Sequence, residues 1–355
     1  MRLAVDVRTL LDPMPGGVET YTRSLLAGLS RSRDCTVIPV VTGRRRVRDC
    51  ATVRFPLPNP LVNVSMPIAR WPKLDLVAAA DAYLLPNWNF LALKRTTSLT
   101  LVVHDLSFER NPSWYGWKQR AWHRAVQTRA LVARASRIIA VSRWTKQDLT
   151  ALYGVPGEKI TVIYPVSDWS MLPANNAKVG ETLLFFGTIE KRKNVLSVVR
   201  AFERIAARHP DANVVLAGRL GFGSAEVAAA VRRSSYSARI RLVGSVSAEA
   251  RAALFRDATL FVCPSFYEGF GIPLLDALRH GLPVITADRS AMPEVVGDAG
   301  LLIDPYNTAE LAEALSAVLG DAGFRAVLAT RARARALHFP PSMAPALSEF
   351  FSMSM

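Results

Sequence analysis

Two carboxylates bracket a glycine turn in the run Glu268-Gly-Phe-Gly-Ile-Pro-Leu-Leu-Asp276, with seven residues between them. Ionised carboxylates are poor phosphate ligands but good acceptors, each able to take two hydroxyl donors at once. A second group is cationic: Arg192 and Lys193 precede an apolar stretch of helical period at Val195, Val198, Val199, Phe202 and Ile205. Cations oppose the dipole at a helix start, so their placement is sensible if a multiply charged anion sits there. His104 ends a β-branched run, a position where ligands bind in α/β sheets. A ligand that is part phosphate and part polyol would use both the two carboxylates and the helix start that follows their glycine turn, and a nucleotide sugar is such a ligand. Taken singly, each has an ordinary structural meaning: a solvated acid, an N-terminal helix acid, a basic loop, a core-bonded histidine. The whole ordered string is harder to explain that way.

These residues need elements to position them. Residues 259–263 read as a buried parallel strand. Gly269 and Gly271 flank Phe270, so the backbone can turn tightly and approach a ligand, and Ile272 closes the turn before a helix whose first position suits Pro273. Pro273 suits the first helical turn, while Gly281 and Pro283 end it. Strands are expected at residues 182–186, 213–217, 240–243 and 283–286 as well, alternating with helices. Asn194 is a candidate cap for the helix over 195–209. In the amino-terminal half, residues 1–7 read as a strand, Pro13 to Gly17 as a loop, and 18–29 as a helix. Further strands fall at 36–41, 82–85, 98–103, 137–141 and 159–164, and Ser142 can cap a helix over 143–153. The Pro-rich segment 56–60 reads as rigid and non-helical. Residues 114–135 carry Trp117, Arg120, Ala121, Arg124 and Leu131 at helical spacing, taken as a core-facing stripe. Residues 165–180, rich in Pro, Asn and Ser, read as a linker between two doubly wound α/β domains, 1–168 and 177–337.

The Glu268-to-Asp276 string resembles the Glu-x7-Glu signature of the retaining glycosyltransferases of family 4. That resemblance implies a GT-B fold, two facing Rossmann-like domains with a cleft between them, and a last helix, about residues 340–355, crossing back to the first domain. It implies that Glu268 contacts the donor sugar and that Asp276 holds the ribose hydroxyls. Asp276 stands where the family has glutamate, shorter by one carbon–carbon bond of about 1.5 Å. Gly187 to Asn194 resembles the family's phosphate segment, in which Lys193 would neutralise the donor diphosphate, with Arg192 supplying a second charge where Thr188 replaces an arginine. Gly16-Gly17-Val18 resembles the loop placed near the sugar phosphate and the acceptor. His104-Asp105-Leu106 resembles the segment whose histidine reaches the donor sugar, and Val243-Gly244 the turn whose main chain meets the base. Catalytic roles therefore fall on His104, Lys193 and Glu268. The leaving phosphate itself would deprotonate the acceptor, with Glu268 as an alternative covalent nucleophile.

With 355 residues, half of them hydrophobic and 21% charged, the chain has the composition of a packed two-domain protein. The apolar runs are strand-sized, and the first residues lack a signal-peptide core. Cys35, Cys50 and Cys263 share no metal spacing and cannot all pair, which suggests the reducing cytoplasm. No Asp-x-Asp or chelating His or Cys pair appears, so no metal or other cofactor is expected beyond a GDP-, UDP- or dTDP-linked sugar as co-substrate. A formal charge of +15 and a pI near 10.3 invite an acidic partner. No motif supports nucleic acid. An anionic membrane surface fits the cluster Arg44, Arg45, Arg46 and Arg48, with Lys118, Arg120, His123 and Arg124 further on; a solvated basic face fits each cluster equally well. The expected activity is transfer of a mannose-like hexose or deoxyhexose to a glycan or lipid-linked acceptor in bacterial surface polysaccharide synthesis (O-antigen, capsule or exopolysaccharide), at or near the inner membrane face. Two other readings are a sugar-nucleotide epimerase of the same architecture and a non-catalytic membrane- or nucleic-acid-binding protein.

Overall fold

The computed structural model describes residues 1–12, 16–31, 35–47, 50–167 and 181–352. The expected linker lies largely outside these residues, as do Arg48, Pro13 and Pro15. The chain divides into two units, the first made of Met1–Arg110, Trp117–Val166 and Pro340–Met355, the second of Asn111–Gly116 and Ser167–Phe339. Residues 111–116, read from sequence as part of the first domain, thus belong to the second.

Among the described residues the first unit holds seven strands: β1 (Arg2–Asp6), β2 (Thr36–Thr42), β3 (Val53–Phe55), β4 (Ala82–Leu85), β5 (Ser98–Val103), β6 (Arg137–Ala140) and β7 (Ile160–Val162). All pairs are parallel, in the order β3-β2-β1-β4-β5-β6-β7. Parallel strands covered on both faces must be apolar throughout, and Leu3, Ala4, Val5, Leu101, Val102 and Val103 are fully buried. At the carboxyl end of β1 the buried Asp6 is satisfied by Arg8 and by the Tyr83 hydroxyl at 3.1 Å, so its charge is not left unpaired.

The second unit holds β8 (Glu181–Phe186), β9 (Ala212–Ala217), β10 (Ile240–Gly244), β11 (Leu260–Cys263), β12 (Val284–Ala287) and β13 (Gly300–Ile303). They are parallel in the order β10-β9-β8-β11-β12-β13. Val195, Val198, Val199, Phe202 and Ile205 all face the core from the helix Val195–Ile205, as their spacing requires.

Three local expectations change. Residues 56–60 do not stay non-helical: a helix, Asn59–Ala69, begins there, because Pro60 occupies its first turn, where a missing N–H costs nothing. The stripe over 114–135 is split at Gln127, which has φ 54°, into the helices Trp117–Val126 and Thr128–Arg134. Trp117, Arg120, Ala121 and Arg124 point to solvent and only Leu131 of the five is buried. After Pro340 and Pro341 a last helix, Ala344–Ser352, packs on the helix Gly17–Leu29 of the first unit, burying Leu347, Phe350 and Phe351.

Candidate functional site

In the second sheet the chain runs outward from β8 to β9 and β10, then returns to lay β11 on the opposite side of β8. Loops leaving β8 and β11 therefore diverge in opposite directions, and a crevice opens between them at the carboxyl edge. Arg192 and Lys193 follow β8, and Glu268 follows β11. The topology brings these three together although about 75 residues separate them in sequence.

Glu268 is buried, and its carboxylate is met from three directions. Lys193 Nζ and the Ser265 hydroxyl, at 2.7 Å, donate to Oε1, and Arg192 Nη1 donates to Oε2 at 3.3 Å. Its backbone N–H donates to Ser290 Oγ at 2.9 Å. Burial pushes the Glu268 pKa up, but Lys193 and Arg192 outweigh it, so the carboxyl is held below its ordinary range. The Cys263 thiol beneath is pushed up to about 11, by burial and by the Glu268 charge, and stays protonated.

Arg192 does more than stand at a helix start. It also donates to the Tyr267 carbonyl at 2.7 Å and to Glu190 at 2.8 Å, tying the two loops together. Asn194 does not cap by its side chain. It adopts a left-handed conformation, and its amide donates to the carbonyls of Pro264, at 3.1 Å, and Pro305, at 2.7 Å. A main-chain bond from Phe266 N–H to Arg192 O at 2.9 Å completes the joint.

Gly269 and Phe270 are buried in the turn, and Phe270 packs edge-on against Phe339. Gly271, at φ 92°, then redirects the chain into the helix Ile272–Arg279. A Cβ there would lie 2.8 Å from Leu274 Cδ1, so both conformation and space call for glycine. Asp276, fully buried on this helix, accepts from Ser167 Oγ at 2.5 Å and is ion-paired with Arg251. Arg251 comes from the helix Ala248–Asp257 and lies 5.2 Å from the Phe186 ring centre. Neither Ser167 nor Arg251 was visible as a site residue in sequence. Asp276 carried the one available signal, as a buried acid that requires a cation.

Val243 bulges out of β10 between Leu242 and Gly244 and is 37% exposed. Gly218 N–H donates to Gly244 O at 2.8 Å. Gly218 itself has φ 141°, and a Cβ on it would fall 1.9 Å from Gly187 O. The turns after β8, β9 and β10 therefore close on one another through bare backbone.

Gly16, Gly17 and His104 fall in the first unit. Gly16 is the N-cap and Gly17 the first residue of the helix Gly17–Leu29, and both are exposed. Tyr21, one turn on, meets the His104 ring edge-to-face at 4.8 Å. His104 Nε2 lies 2.8 Å from the Pro86 carbonyl; a carbonyl only accepts, so Nε2 carries the hydrogen and Nδ1 the lone pair. Asp105, next in sequence, acts on the ring through its charge. It accepts from Ser107 N–H at 3.1 Å and Ser107 Oγ at 2.6 Å. Burial draws the His104 pKa down, which keeps the ring neutral at pH 7. With the folded value below the unfolded one, the unfolded chain binds more protons in the window between them. Stability is therefore lost as pH falls through the ordinary histidine range. The His104 ring should titrate by NMR below that range, and His104→Asn should lessen the acid sensitivity of the melting temperature. Unchanged sensitivity would place the effect elsewhere.

Among the described residues, no three His, Cys, Asp or Glu side chains cluster as metal ligands. Arg192, Lys193 and Arg251 are each matched by carboxylates, Glu190, Glu268 and Asp276.

Residues 173–335 match the family model described as glycosyl transferases group 1, and residues 15–168 match that of Glycosyltransferase Family 4. The chain belongs to the family 4 glycosyltransferases and is a transferase of GT-B fold. It is 28% identical over 272 residues to the O-antigen chain mannosyltransferase B of Escherichia coli, a match spanning 72% of this chain and 70% of that one. It is 29% identical over 157 residues to the GDP-mannose:cellobiosyl-diphosphopolyprenol alpha-mannosyltransferase of Xanthomonas campestris, covering 44% and 41% of the two. In fold it is similar to Anabaena HepE, solved in complex with UDP and glucose, with a TM-score of 0.76 at 19% identity and 99% of each chain covered.

Proposed function

We propose that the chain transfers a mannose-like hexose or deoxyhexose, with retention at the anomeric carbon, from a nucleotide sugar to a glycan or lipid-linked acceptor. The setting would be bacterial surface polysaccharide synthesis at the cytoplasmic face of the membrane. The observation that carries the reading is the meeting of Lys193, Arg192 and Glu268 at the switch point of the second sheet. The mannosyl transfer named in two relatives supports the choice of sugar.

In this reading each group has a distinct task. An ammonium carries three donors, and the contact with Glu268 takes one. Lys193 can therefore keep that contact while the others meet the oxygens of the departing diphosphate, stabilising charge as it develops. Arg192, braced by Glu190 and the Tyr267 carbonyl, adds a fixed positive charge beside it. Glu268, held ionised by two cations and a hydroxyl, is better suited to accept from sugar hydroxyls than to attack carbon, since its lone pairs are drawn toward the cations. The main chain at Val243 and Gly244 presents donors and acceptors to a base. Neutral His104 presents a lone pair at Nδ1 for a sugar hydroxyl. The leaving phosphate takes the acceptor proton. Lys193 and Arg192 supply the counter-charge, and the reading assigns no part of it to a metal.

Thermal-shift measurements with GDP-, UDP- and dTDP-linked sugars, in the presence of a chelator, test this. A donor at a hundred times its dissociation constant should stabilise by about 2.7 kcal/mol, and one base should stand out. A shift that appears only on adding magnesium would move the counter-charge from Lys193 to a metal. No shift with any donor would reject the reading.

A further inference from the structure

The site's cations are matched by carboxylates, so the formal charge of +15 resides elsewhere. Part of it surrounds an unusual helix. Asn59–Ala69 reads Asn-Pro-Leu-Val-Asn-Val-Ser-Met-Pro-Ile-Ala, apolar on nearly every side. Such a helix is ordinarily buried all round. Here Val62 and Met66 face the core, while Leu61, Val64 and Ile68, three and four residues apart, stand 58%, 60% and 79% exposed. Trp71, just past the helix, is 51% exposed and rests edge-on against Phe55 of β3. The outward row is thus continued by a large amphipathic ring.

Cations border this row. The helix start is fixed beside the end of β2, where Thr42 Oγ1 donates to Asn59 Oδ1 at 2.7 Å, and exposed Arg44, Arg45 and Arg46 follow directly. Arg54 on β3 donates to the Arg44 carbonyl at 3.1 Å, which joins strand and arginine loop. Arg70 and Lys73 stand exposed at the other end. Across the described residues 35–80 the only acid is Asp75, which is buried and turned to Thr97 Oγ1 at 2.6 Å. An exposed apolar stripe whose border, among the described residues, carries exposed cations and no exposed acid is complementary to one kind of surface, anionic headgroups over acyl chains.

We infer that the helix Asn59–Ala69 lies in the interface plane of an anionic bilayer, with Leu61, Val64, Ile68 and Trp71 entering the acyl boundary and the surrounding arginines meeting lipid phosphates. No helix among the described residues is long and apolar enough to cross a membrane, so attachment is in-plane. Binding of an in-plane helix scales with its buried apolar area plus its attraction to anionic lipid, and the apolar row and the basic border supply the two. The inference rests on the membrane-side part of the reading above and is independent of which sugar moves.

Co-sedimentation with phosphatidylcholine vesicles, with and without phosphatidylglycerol, tests it. The parent should bind only the anionic vesicles. Leu61→Ser/Val64→Ser/Ile68→Ser should weaken binding on the order of ten-fold, and Arg44→Gln/Arg45→Gln/Arg46→Gln on the order of a hundred-fold. Both variants should keep the donor-induced thermal shift of the parent, which separates a failed surface from a failed fold or a wrong enzyme reading. A triple-serine variant that binds as tightly as the parent overturns the inference. So does a parent that ignores both vesicles, or a dimeric parent turned monomeric by Ile68→Asp, which would make the row a contact between copies.

Discussion

Lys193→Ala should abolish nearly all turnover while the fold persists. Removing one preorganised charge donor typically costs about 10²–10³ in rate, and here the lost donor is a full cation facing a leaving group of several charges. Arg192 cannot replace it, because its guanidinium is already committed to Glu190, the Tyr267 carbonyl and Glu268. The fold should survive, since Arg192 and Ser265 still satisfy the buried Glu268 carboxylate. Steady-state kinetics beside a melting curve would check both statements. Glu268→Ala should differ by lowering turnover while leaving the affinity for a free nucleoside diphosphate nearly unchanged, because its partner would be the sugar. A Lys193→Ala enzyme with more than half of the parent rate would show that the diphosphate is held some other way.

The second large effect concerns Asp276 and Arg251. Removing one member of a buried ion pair costs about 3–5 kcal/mol when the other is left uncompensated. Arg251 is a fifth exposed, so water screens part of that cost. Asp276→Ala should therefore destabilise the second unit by about 2–3 kcal/mol, roughly 5–10 °C in melting temperature. If Asp276 also holds the ribose diol, the same change raises the donor KM and weakens nucleoside diphosphate binding, since charged hydrogen bonds are worth about 1.5–3 kcal/mol each. Ser167 occupies Oδ1 and Arg251 occupies Oδ2. A carboxylate offers about four lone-pair sites, but this one is fully buried, so a diol reaches it only if Ser167 or Arg251 moves aside. Arg251→Met separates the roles: it should lower stability and keep diphosphate affinity within a few-fold. Calorimetry with the diphosphate alone decides. If Asp276→Ala binds it as tightly as the parent, Asp276 is structural and the ribose is held elsewhere.

What could be read from the chain follows from how local each signal is. The strands at 82–85 and 98–103 were legible to the residue, because strands buried on both faces read as nearly continuous apolar or β-branched runs. The loops bearing Lys193 and Glu268 were legible as separate strings, for each is written in consecutive residues. Their meeting depends on strand order, to which sequence gives only indirect access. Arg251 was invisible for that reason: nothing near it announces an acid one strand and one helix later. Asn194 looked like a cap because of its residue type, but its amide was claimed by two carbonyls from distant turns. The helix over residues 59–69 was missed. Proline in the opening turn resembled a break, and an all-round apolar pattern cannot say which side faces the core. The three-residue strand Val53–Phe55 was too short and too mixed in composition to stand out, and Gly300–Ile303, which opens on a glycine, was passed over.

The packing of Ala344–Ser352 on Gly17–Leu29 sets the order in which the chain can mature. The second unit is written as an almost uninterrupted run from Ser167 to Phe339, so it can close as soon as that run has left the ribosome. The first unit begins earlier but cannot finish, because Leu347, Phe350 and Phe351 are part of its buried interior. Until they arrive, the face of Gly17–Leu29 that they cover stays bare. The half synthesised first is thus the half completed last. During that interval its unfinished surface is what a chaperone would meet.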